Sequence, residues 1–294
     1  MSELVRESSA FTRAAASGER QLFFSSAGRP LYGAFHPAHN GFDREAVVVF
    51  CHAIGSEHMQ TQRMEVLCAR FLARAGLAAF RYNARAHGDS AGDAKHVTFE
   101  NLIGDACVAA DVACELSRAS RVIWIGLRFG CLIAAEAVSR LGNSAALALW
   151  EPFHHGNDYF RSLMRATVFT DLAKGRLAGG SMEEMVEQLE RDGEVPVVAG
   201  YCYRELYCSA RDADLIRSLE NWRGHTLIAQ VQRRRKLSEQ NERLRATLSG
   251  DRQAKVAVVL IDQAPAWNML PLVYPQWTSE ALLSATKEWL NGLD

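Results

Sequence analysis

The sequence predicts an α/β protein with a mostly parallel sheet of about eight strands and helices on both faces. Two observations support this fold class. Short continuous apolar runs, which are typical of strands buried on both faces, recur along the chain. Segments with helical spacing of apolar residues separate these runs, and such alternation is the pattern of parallel strands joined by crossover helices.

The predicted elements follow in chain order. Residues 21–26 and 31–36 are expected to form an opening antiparallel pair that turns at residues 28–30. Apolar runs predict buried strands at residues 46–51, 77–82, 122–125, 145–150, 226–231 and 254–261. Helical spacing predicts helices at residues 64–75 (ending at Gly76), at 99–116, from the turn at 126–130 to about 141, and at 279–293.

The alternation stops between residues 153 and 222. This stretch contains helical segments, among them an acidic one at 181–191, and only residues 195–199 have the pattern of a short edge strand. We therefore predict a helical cap at 153–222, inserted into an α/β core formed by residues 1–152 and 223–294. A chain of 294 residues is long enough for one such capped domain.

Composition and charge are those of an ordinary globular protein. The chain has 48% hydrophobic residues, 23% charged residues and a net charge of −1, so it has no field that would attract nucleic acid or an acidic membrane. The basic run at 233–236 precedes two glutamates and is interpreted as a solvated helix start. No apolar run is long enough to span a membrane, and residues 1–20 lack the apolar core of a signal peptide.

The seven cysteines are expected to be reduced thiols of a cytoplasmic protein. They are scattered along the chain without a CxxC pair, which argues against a disulfide framework and against a zinc site. We therefore expect no cofactor and no metal.

An arginine occupies the centre of a glycine-flanked turn. Residues 121–136 predict a buried strand, a sharp turn between Gly126 and Gly130, and then a helix. In the G-x-S-x-G pattern, which has this strand–turn–helix context, the central residue is a nucleophilic serine. Here it is Arg128. A guanidinium stays protonated and has no free lone pair, so Arg128 cannot attack an acyl carbon.

These motifs resemble those of α/β-hydrolases. His52 opens residues 52–57 at the place of the family's His-Gly oxyanion loop, and residues 81–93 are similar to the D-x-R-G-H-G-x-S-x-G turn of serine-aminopeptidase-like hydrolases. The resemblance covers roughly residues 21–294 and implies an α/β-hydrolase fold.

A narrower resemblance is to the second hydrolase type associated with bacterial exosortase gene clusters, a group that also tolerates arginine at the elbow. The features that carry it are residues 126–130, residues 149–152 with Gly156 and Tyr159, residues 200–201 with 205–206, and residues 265–267.

The catalytic triad that such a hydrolase needs is incomplete in this chain. Its order along the chain is nucleophile, acid and histidine, and the histidine should follow the last strand. The last histidine in the sequence is His225, which precedes the strand predicted at 254–261. Gln232 and three basic residues, rather than an acid, follow the strand predicted at 226–231. The sequence therefore excludes conventional Ser-His-Asp hydrolysis.

The turn nevertheless has features of an anion site. It places Arg128 at a helix N-terminus and at the carboxyl edge of the sheet, where backbone N–H groups and the helix dipole favour an anion. An arginine adds a bidentate grip for carboxylate or phosphate. The alternative is that Arg128 forms a structural ion pair with Glu151, just past the neighbouring strand, and only closes the old site. The two roles are compatible, and the sequence leaves both open.

The remaining candidate site residues surround this turn. His52 follows a buried strand and is either an acid or base near neutral pH or a loop histidine satisfied by hydrogen bonds. The predicted catalytic set is Arg128, His52 and Glu151. The predicted substrate-binding set is Ala53, Phe129, His155 and Trp267.

Other reactive side chains have simpler interpretations. His154 and His155 lack the further ligands that a metal site needs. Cys131 follows the turn and is interpreted as a core filler rather than a displaced nucleophile. The residues at 89 and 90 are interpreted as turn formers, and Trp267 and Trp277 are expected to wall an apolar pocket.

Two classes of function remain open. The first is an enzyme that acts on an acyl or carboxylate-bearing small molecule by a route without a serine. The second is a non-catalytic pseudo-hydrolase that binds a small anionic or acyl ligand, or a partner protein. The fold does not choose between them, because it hosts many chemistries. A homodimer is compatible with the sequence, whereas nucleic acid and membranes are not expected partners.

Overall fold

Strands and helices alternate along the chain in the predicted order. The structure, a computed structural model, describes residues 5–6, 18–39, 45–173, 181–198, 200–233, 236–250, 255–264 and 277–293. The strands are β1 (Val5–Arg6), β2 (Arg20–Ser26), β3 (Arg29–His36), β4 (Ala46–Cys51), β5 (Ala79–Tyr82), β6 (Arg121–Leu127), β7 (Ser144–Trp150), β8 (Glu194–Val197), β9 (Gly200–Tyr203), β10 (His225–Val231) and β11 (Val256–Ile261). The helices are α1 (Ser56–Arg74), α2 (Phe99–Ser117), α3 (Gly130–Arg140), α4 (Gly156–Ala173), α5 (Met182–Asp192), α6 (Arg204–Ala210), α7 (Leu215–Ser218), α8 (Glu239–Leu248) and α9 (Glu280–Asn291).

The main sheet confirms the predicted mostly parallel architecture. Its nine strands lie in the order β1-β2-β3-β5-β4-β6-β7-β10-β11. From β5 to β11 neighbouring strands run parallel. The strands β1, β2 and β3 add an antiparallel edge, as expected for the opening pair, although β1 contributes only two residues.

Apolar side chains cover both faces of the sheet. Successive residues of a strand point to opposite faces, so Val49 of β4 belongs to the same apolar core as Leu102 of α2, while Phe50 belongs to a second core together with Leu72 of α1 and Leu282 of α9. This double burial is the physical reason for the continuous apolar runs in the sequence. The carboxyl ends of the parallel strands consequently meet at one edge, where folds of this class bind ligands.

The described part of the segment between β7 and β10 holds four helices and a small hairpin. Residues 195–199, expected to form an edge strand, do not join the main sheet. Instead β8 pairs with β9 in a separate two-stranded antiparallel sheet, and residue 199 lies outside the described residues. The division of the chain into a core and a cap at residues 153–222 stays a prediction.

Two helix starts differ from the sequence prediction. Helix α1 begins at Ser56, not at residue 64, because its polar first turns are buried against neighbouring loops, which an apolar pattern cannot reveal. Helix α8 begins at Glu239 with Ser238 as its N-cap, so the basic run at 233–236 precedes the helix and does not start it. Among the described helices, none combines the length and apolar character needed to cross a membrane.

Candidate functional site

The turn between β6 and α3 has Arg128 at its centre, as the sequence predicts. Arg128 has a φ of 57°, in the left-handed region that residues other than glycine rarely adopt. Its backbone N–H donates to the carbonyl oxygen of Trp150 over 3.0 Å. A Cβ atom at Gly130 would lie 2.0 Å from the carbonyl oxygen of Cys51. Only glycine therefore lets the start of α3 approach the end of β4 this closely.

The side chain of Arg128 forms a bidentate ion pair with Glu57 at the start of α1. Its Nη2 and Nε atoms donate to Glu57 Oε1 and Oε2 over 2.8 Å and 3.2 Å. Arg128 is 7% exposed and Glu57 is 0% exposed, so the pair is almost entirely removed from water. The guanidinium carbon also lies 4.3 Å from the centroid of the Phe153 ring, which is a cation–π contact.

Glu151, which the sequence predicts as the partner of Arg128, binds elsewhere. Its Oε2 atom accepts the backbone N–H of Val231 at the end of β10. Burial raises the pKa of Glu151, while the Val231 N–H and the charge of Arg128 act in the opposite direction. Glu151 therefore lies within electrostatic reach of the ion pair. The predicted Arg128–Glu151 pair is wrong, because α1 supplies a closer carboxylate and a strand end holds the carboxylate of Glu151.

An uncharged hydrogen-bonded network lies at the end of β10, where a triad acid would follow the strand. The side-chain oxygen of Gln230 accepts from the Asn241 amide and from the Ser238 backbone N–H, each over 2.8 Å. The amide oxygen of Asn241 lies 2.8 Å from Nε2 of His154. The imidazole of His154 therefore connects the chain after β7 to α8 through a hydrogen bond.

A cluster of aromatic rings fills the space beside Arg128. The centroid of Tyr159 lies 5.3 Å from that of Phe153, 4.8 Å from that of Phe129 and 5.2 Å from that of Phe160. The Tyr159 hydroxyl donates to the carbonyl oxygen of Ile54 over 3.4 Å. Phe129, Tyr159 and Phe160 are each at most 2% exposed, so the rings form a closed wall next to the turn.

Three histidine rings pack against one another near the carboxyl ends of β4 and β5. The centroid of His52 lies 4.2 Å from that of His58 and 5.1 Å from that of His87. Burial lowers the pKa of all three, and neighbouring imidazoles add to the effect on His52 and His58. The pKa of His58 falls to about 3.

Hydrogen bonds fix the neutral state of two of these rings. Nε2 of His52 accepts the Ala84 N–H over 3.0 Å, and its Nδ1 lies 2.6 Å from the carbonyl oxygen of Ala53. Nε2 of His87 accepts the Gly55 N–H over 3.5 Å, and its Nδ1 contacts a carbonyl oxygen at 2.9 Å. A ring nitrogen that accepts an N–H carries no proton, so this network assigns both rings as neutral. For His52 these contacts fit the interpretation as a satisfied loop histidine.

A pocket of about 280 Å³ opens between the loops after β4 and β5 and the segment between β7 and β10. Its aromatic wall consists of Tyr159, Phe160, Tyr201 and Tyr203, and its aliphatic wall includes Ile54, Met59, Val97, Leu163 and Leu206. His58 and His87 are polar members of the wall. None of the described lining residues is Asp, Glu, Lys or Arg, so the pocket suits a neutral, mainly apolar molecule.

Of the predicted substrate-binding residues, the three that the structure describes do not line this pocket. Ala53 and Phe129 are 0% exposed and are absent from its wall. The side chain of His155 is 48% exposed and lies 3.5 Å from Asp214 at the surface. Trp267 lies outside the described residues. Of the predicted catalytic set, Arg128 acts electrostatically on Glu151, whereas His52 belongs to the histidine cluster.

The secondary candidates have mostly structural surroundings. Cys131 is fully buried, which raises the pKa of its thiol well above the usual value, in agreement with a core filler. The hydroxyl of Ser90 bonds the backbone of Tyr32 and Asn83, as expected for a turn former. Trp277 does not wall the pocket: it packs in the core between α1 and α9. Within the described ranges, no cluster of three or more His, Cys, Asp or Glu side chains is arranged to hold a metal.

Sequence reasoning missed Glu57 and His58. Both lie in the first turn of α1, in a polar stretch that lacks the apolar spacing of a buried helix. A usable signal was present, because an acid shortly after the strand at 46–51 reaches the same sheet edge as Arg128. For His58 no comparable signal exists, since the rings it contacts come from two separate loops.

The chain matches a known protein family. A family model described as serine aminopeptidase, S33, matches residues 43–198. No protein with a curated description matches the chain significantly.

Three solved structures illustrate the fold. An esterase from Pyrococcus furiosus, PF2001, has a TM-score of 0.62 at 16% identity, with 99% of this chain and 98% of that chain covered. Est1E from Butyrivibrio proteoclasticus, with ferulic acid bound, has a TM-score of 0.65 at 16% identity, covering 92% and 99%. The α/β hydrolase GrgF from Penicillium sp. sh18 has a TM-score of 0.62 at 14% identity, covering 94% and 97%.

Proposed function

The chain belongs to the serine aminopeptidase S33 family of α/β-hydrolases, and from that membership we propose that it is a small-molecule binding member without serine-hydrolase chemistry. One observation carries the proposal: Arg128 occupies the position of the nucleophile and is held by the fully buried Glu57. A protonated guanidinium supplies no lone pair for attack on an acyl carbon.

The missing base supports the same proposal. A serine hydrolase needs a histidine that takes the proton of the nucleophile and an acid that orients this histidine. His225 is the last histidine of the sequence and lies at the start of β10, at the sheet edge opposite the turn. His52 lies near the correct edge, but both of its ring nitrogens contact backbone groups.

The pocket supports binding of a neutral, mainly apolar ligand rather than of an anion. The positive charge of Arg128 is already compensated by Glu57, and an anionic ligand would have to compete with that bidentate contact. Apolar walls suit an acyl chain, and the rings of Tyr159, Phe160, Tyr201 and Tyr203 extend the proposal to small aromatic molecules.

The exosortase-associated hydrolase group and a cytoplasmic location belong to the same proposal. Arginine at the elbow supports the first, because that group tolerates it. The free cysteines, several of them buried, support the second, because a reducing compartment preserves thiols.

The test is binding of N-phenyl-1-naphthylamine, a neutral apolar probe whose fluorescence rises in an apolar site. We expect saturable binding to the wild-type protein. Leu163→Trp should weaken binding at least tenfold, because it replaces an aliphatic side chain in the pocket wall with a larger indole ring. The matched control Leu163→Met should bind the probe as the wild type does. No saturable binding, or equal binding by Leu163→Trp, would refute the pocket as a ligand site.

A further inference from the structure

Ser56 carries a buried hydroxyl group that has no hydrogen-bond partner in the described part of the protein. The residue is the first of helix α1 and is 7% exposed. Its side chain neither caps α1, whose N-cap is Gly55, nor bonds to another described residue. Buried polar groups in folded proteins normally have a partner, so a hydroxyl in this state is expected to bind water or a ligand.

The position of Ser56 in α1 explains the missing bond. Further along a helix, a hydroxyl can donate to the carbonyl oxygen four residues earlier. Thr61 does so in the same helix, because its hydroxyl donates to the carbonyl oxygen of Glu57 over 2.9 Å. Ser56 begins α1, and no turn of the helix precedes it. Its O–H donor therefore lacks the acceptor that a helix offers to later residues.

The oxygen of Ser56 is accessible, in contrast to the ring nitrogens of His58. The side-chain atoms that are enclosed and without a partner include both nitrogens of His58 but not the Ser56 oxygen. Ser56 belongs to the pocket wall, and so does Met59, which lies one turn later on the same face of α1. The hydroxyl is therefore placed to meet a molecule in the pocket.

We propose that the ligand of the pocket is a neutral, mainly apolar molecule with one hydrogen-bond acceptor, such as a ketone carbonyl, and that this oxygen accepts a hydrogen bond from Ser56. This inference rests on the proposed function and names the class of its ligand. A molecule that fills the pocket displaces the water that would otherwise satisfy the hydroxyl. It binds well only if it offers an acceptor in place of that water.

Two features favour an uncharged acceptor. Ser56 lies at the N-terminus of α1, where the helix dipole favours partial negative charge. A carboxylate also accepts, but its transfer from water costs far more free energy, and none of the described lining residues is Lys or Arg. The charge of Arg128 is already taken up by Glu57. The hydroxyl of Tyr159, also buried in this wall, donates to the carbonyl oxygen of Ile54 and does not compete with Ser56.

The experiment uses 2-acetonaphthone, 2-isopropenylnaphthalene and 2-naphthoate as competitors of bound N-phenyl-1-naphthylamine. The first two share one ring system, and a CH₂ group replaces the carbonyl oxygen in the second. Ser56→Ala should weaken binding of the ketone about fivefold and leave that of the alkene unchanged, because only the ketone accepts from the hydroxyl. The wild type should bind 2-naphthoate most weakly. The control Ser249→Ala, at an exposed residue that ends α8, should bind all three as the wild type does.

The outcomes separate this inference from the proposed function. If the probe does not bind the wild type, or if none of the three molecules displaces it, both fail. Equal effects of Ser56→Ala on the ketone and the alkene, or an equal loss of ketone affinity in Ser249→Ala, would overturn the Ser56 contact and leave the pocket as a ligand site. Tightest binding of 2-naphthoate would overturn the neutral ligand.

The bound ketone gives a second readout that does not depend on affinity. The carbonyl stretching band of 2-acetonaphthone, labelled with ¹³C at the carbonyl, moves to lower wavenumber when the oxygen accepts a hydrogen bond. In the wild-type protein we expect this band below its position in hexane, and in Ser56→Ala we expect it to return toward that position. A band at the hexane position in the wild type would overturn the hydrogen bond.

Discussion

The guanidinium of Arg128 and the carboxylate of Glu57 are joined by two hydrogen bonds of 2.8 Å and 3.2 Å in a site almost entirely removed from water. The two residues are 71 positions apart in the sequence. Their contact links the turn after β6 to the first turn of α1. The residue at the nucleophile position therefore holds these two elements together at the edge of the sheet.

Arg128→Met should destabilise the protein by about 3–5 kcal/mol, because it leaves the charge of Glu57 buried without a partner. Arg128→Met combined with Glu57→Leu should recover most of this loss, since replacing both members of a buried pair by apolar residues is often close to neutral. Urea denaturation at pH 7 measures both effects.

Glu151 supplies the matched control. Arg128→Met combined with Glu151→Leu should be less stable than Arg128→Met alone, because it also removes the acceptor of the Val231 N–H. Rescue by Glu151→Leu and not by Glu57→Leu would mean that Arg128 depends on Glu151 instead.

Restoring a serine should not restore hydrolysis. We expect Arg128→Ser/Glu57→Gln, which leaves no unpaired charge at the turn, to be as inert as the wild type toward p-nitrophenyl esters, because no histidine follows β11. Serine hydrolases accelerate such reactions by roughly 10⁶-fold or more, so activity would be evident. Stoichiometric fluorophosphonate labelling of any serine in either protein would contradict the proposed function.

The stability of the protein should fall as the pH drops below about 6.5, the ordinary pKa of histidine. The folded-state pKa of His58 is about 3, so between these values the unfolded chain binds the extra proton and acid favours unfolding. From pH 6.5 to 5 this one group should cost about 2 kcal/mol. Urea denaturation at the two pH values measures the loss.

His58→Phe isolates this contribution. Its stability should fall by about 2 kcal/mol less than that of the wild type over the same interval. Comparing the variant with the wild type also cancels the opposite effect of Glu65. Burial raises the pKa of Glu65 to about 8, so its contribution to the stability of the protein decreases as the pH rises. Equal acid sensitivity of the two proteins would show that His58 is not held neutral.

Asp105→Asn should cost about 3–5 kcal/mol, because Asp105 is the buried partner of Arg85. Asp105 accepts the Ser26 hydroxyl and three N–H groups of Arg85, and it thereby anchors the loop that carries His87. Binding of N-phenyl-1-naphthylamine should weaken in parallel. Asp93→Asn, an exposed cap position, should stay within about 0.5 kcal/mol of the wild type; a similar loss there would refute a specific role of Asp105.

The turn and the sheet were predictable because their signals are local. The run at 121–127 is apolar on both faces, and the glycines at 126 and 130 mark a backbone approach that no side chain allows. These features fixed the position of Arg128 without knowledge of any distant residue.

The partners of Arg128 were not predictable in the same way. Glu151 and Glu57 both follow parallel strands and lie at the carboxyl edge of the sheet. Glu151 accepts the Val231 N–H, and Glu57 forms the ion pair with Arg128. That choice is set by the packing of α1 and β10. The histidine cluster and the pocket combine the loops after β4 and β5 and the start of α1, and the pocket also needs the segment between β7 and β10, so they exist only in the folded chain.

The close approach of Gly130 to Cys51 shows that the residues of this five-residue pattern are required for different reasons: the glycines for backbone packing and the central residue for chemistry. The flanking glycines are required by the way a helix crosses a strand, whatever the protein does, whereas the central residue only has to tolerate a φ of 57°. Chemistry can therefore be lost at the centre while the glycines persist. A glycine-flanked turn of this kind reports architecture, and its middle residue has to be read separately before any activity is assigned.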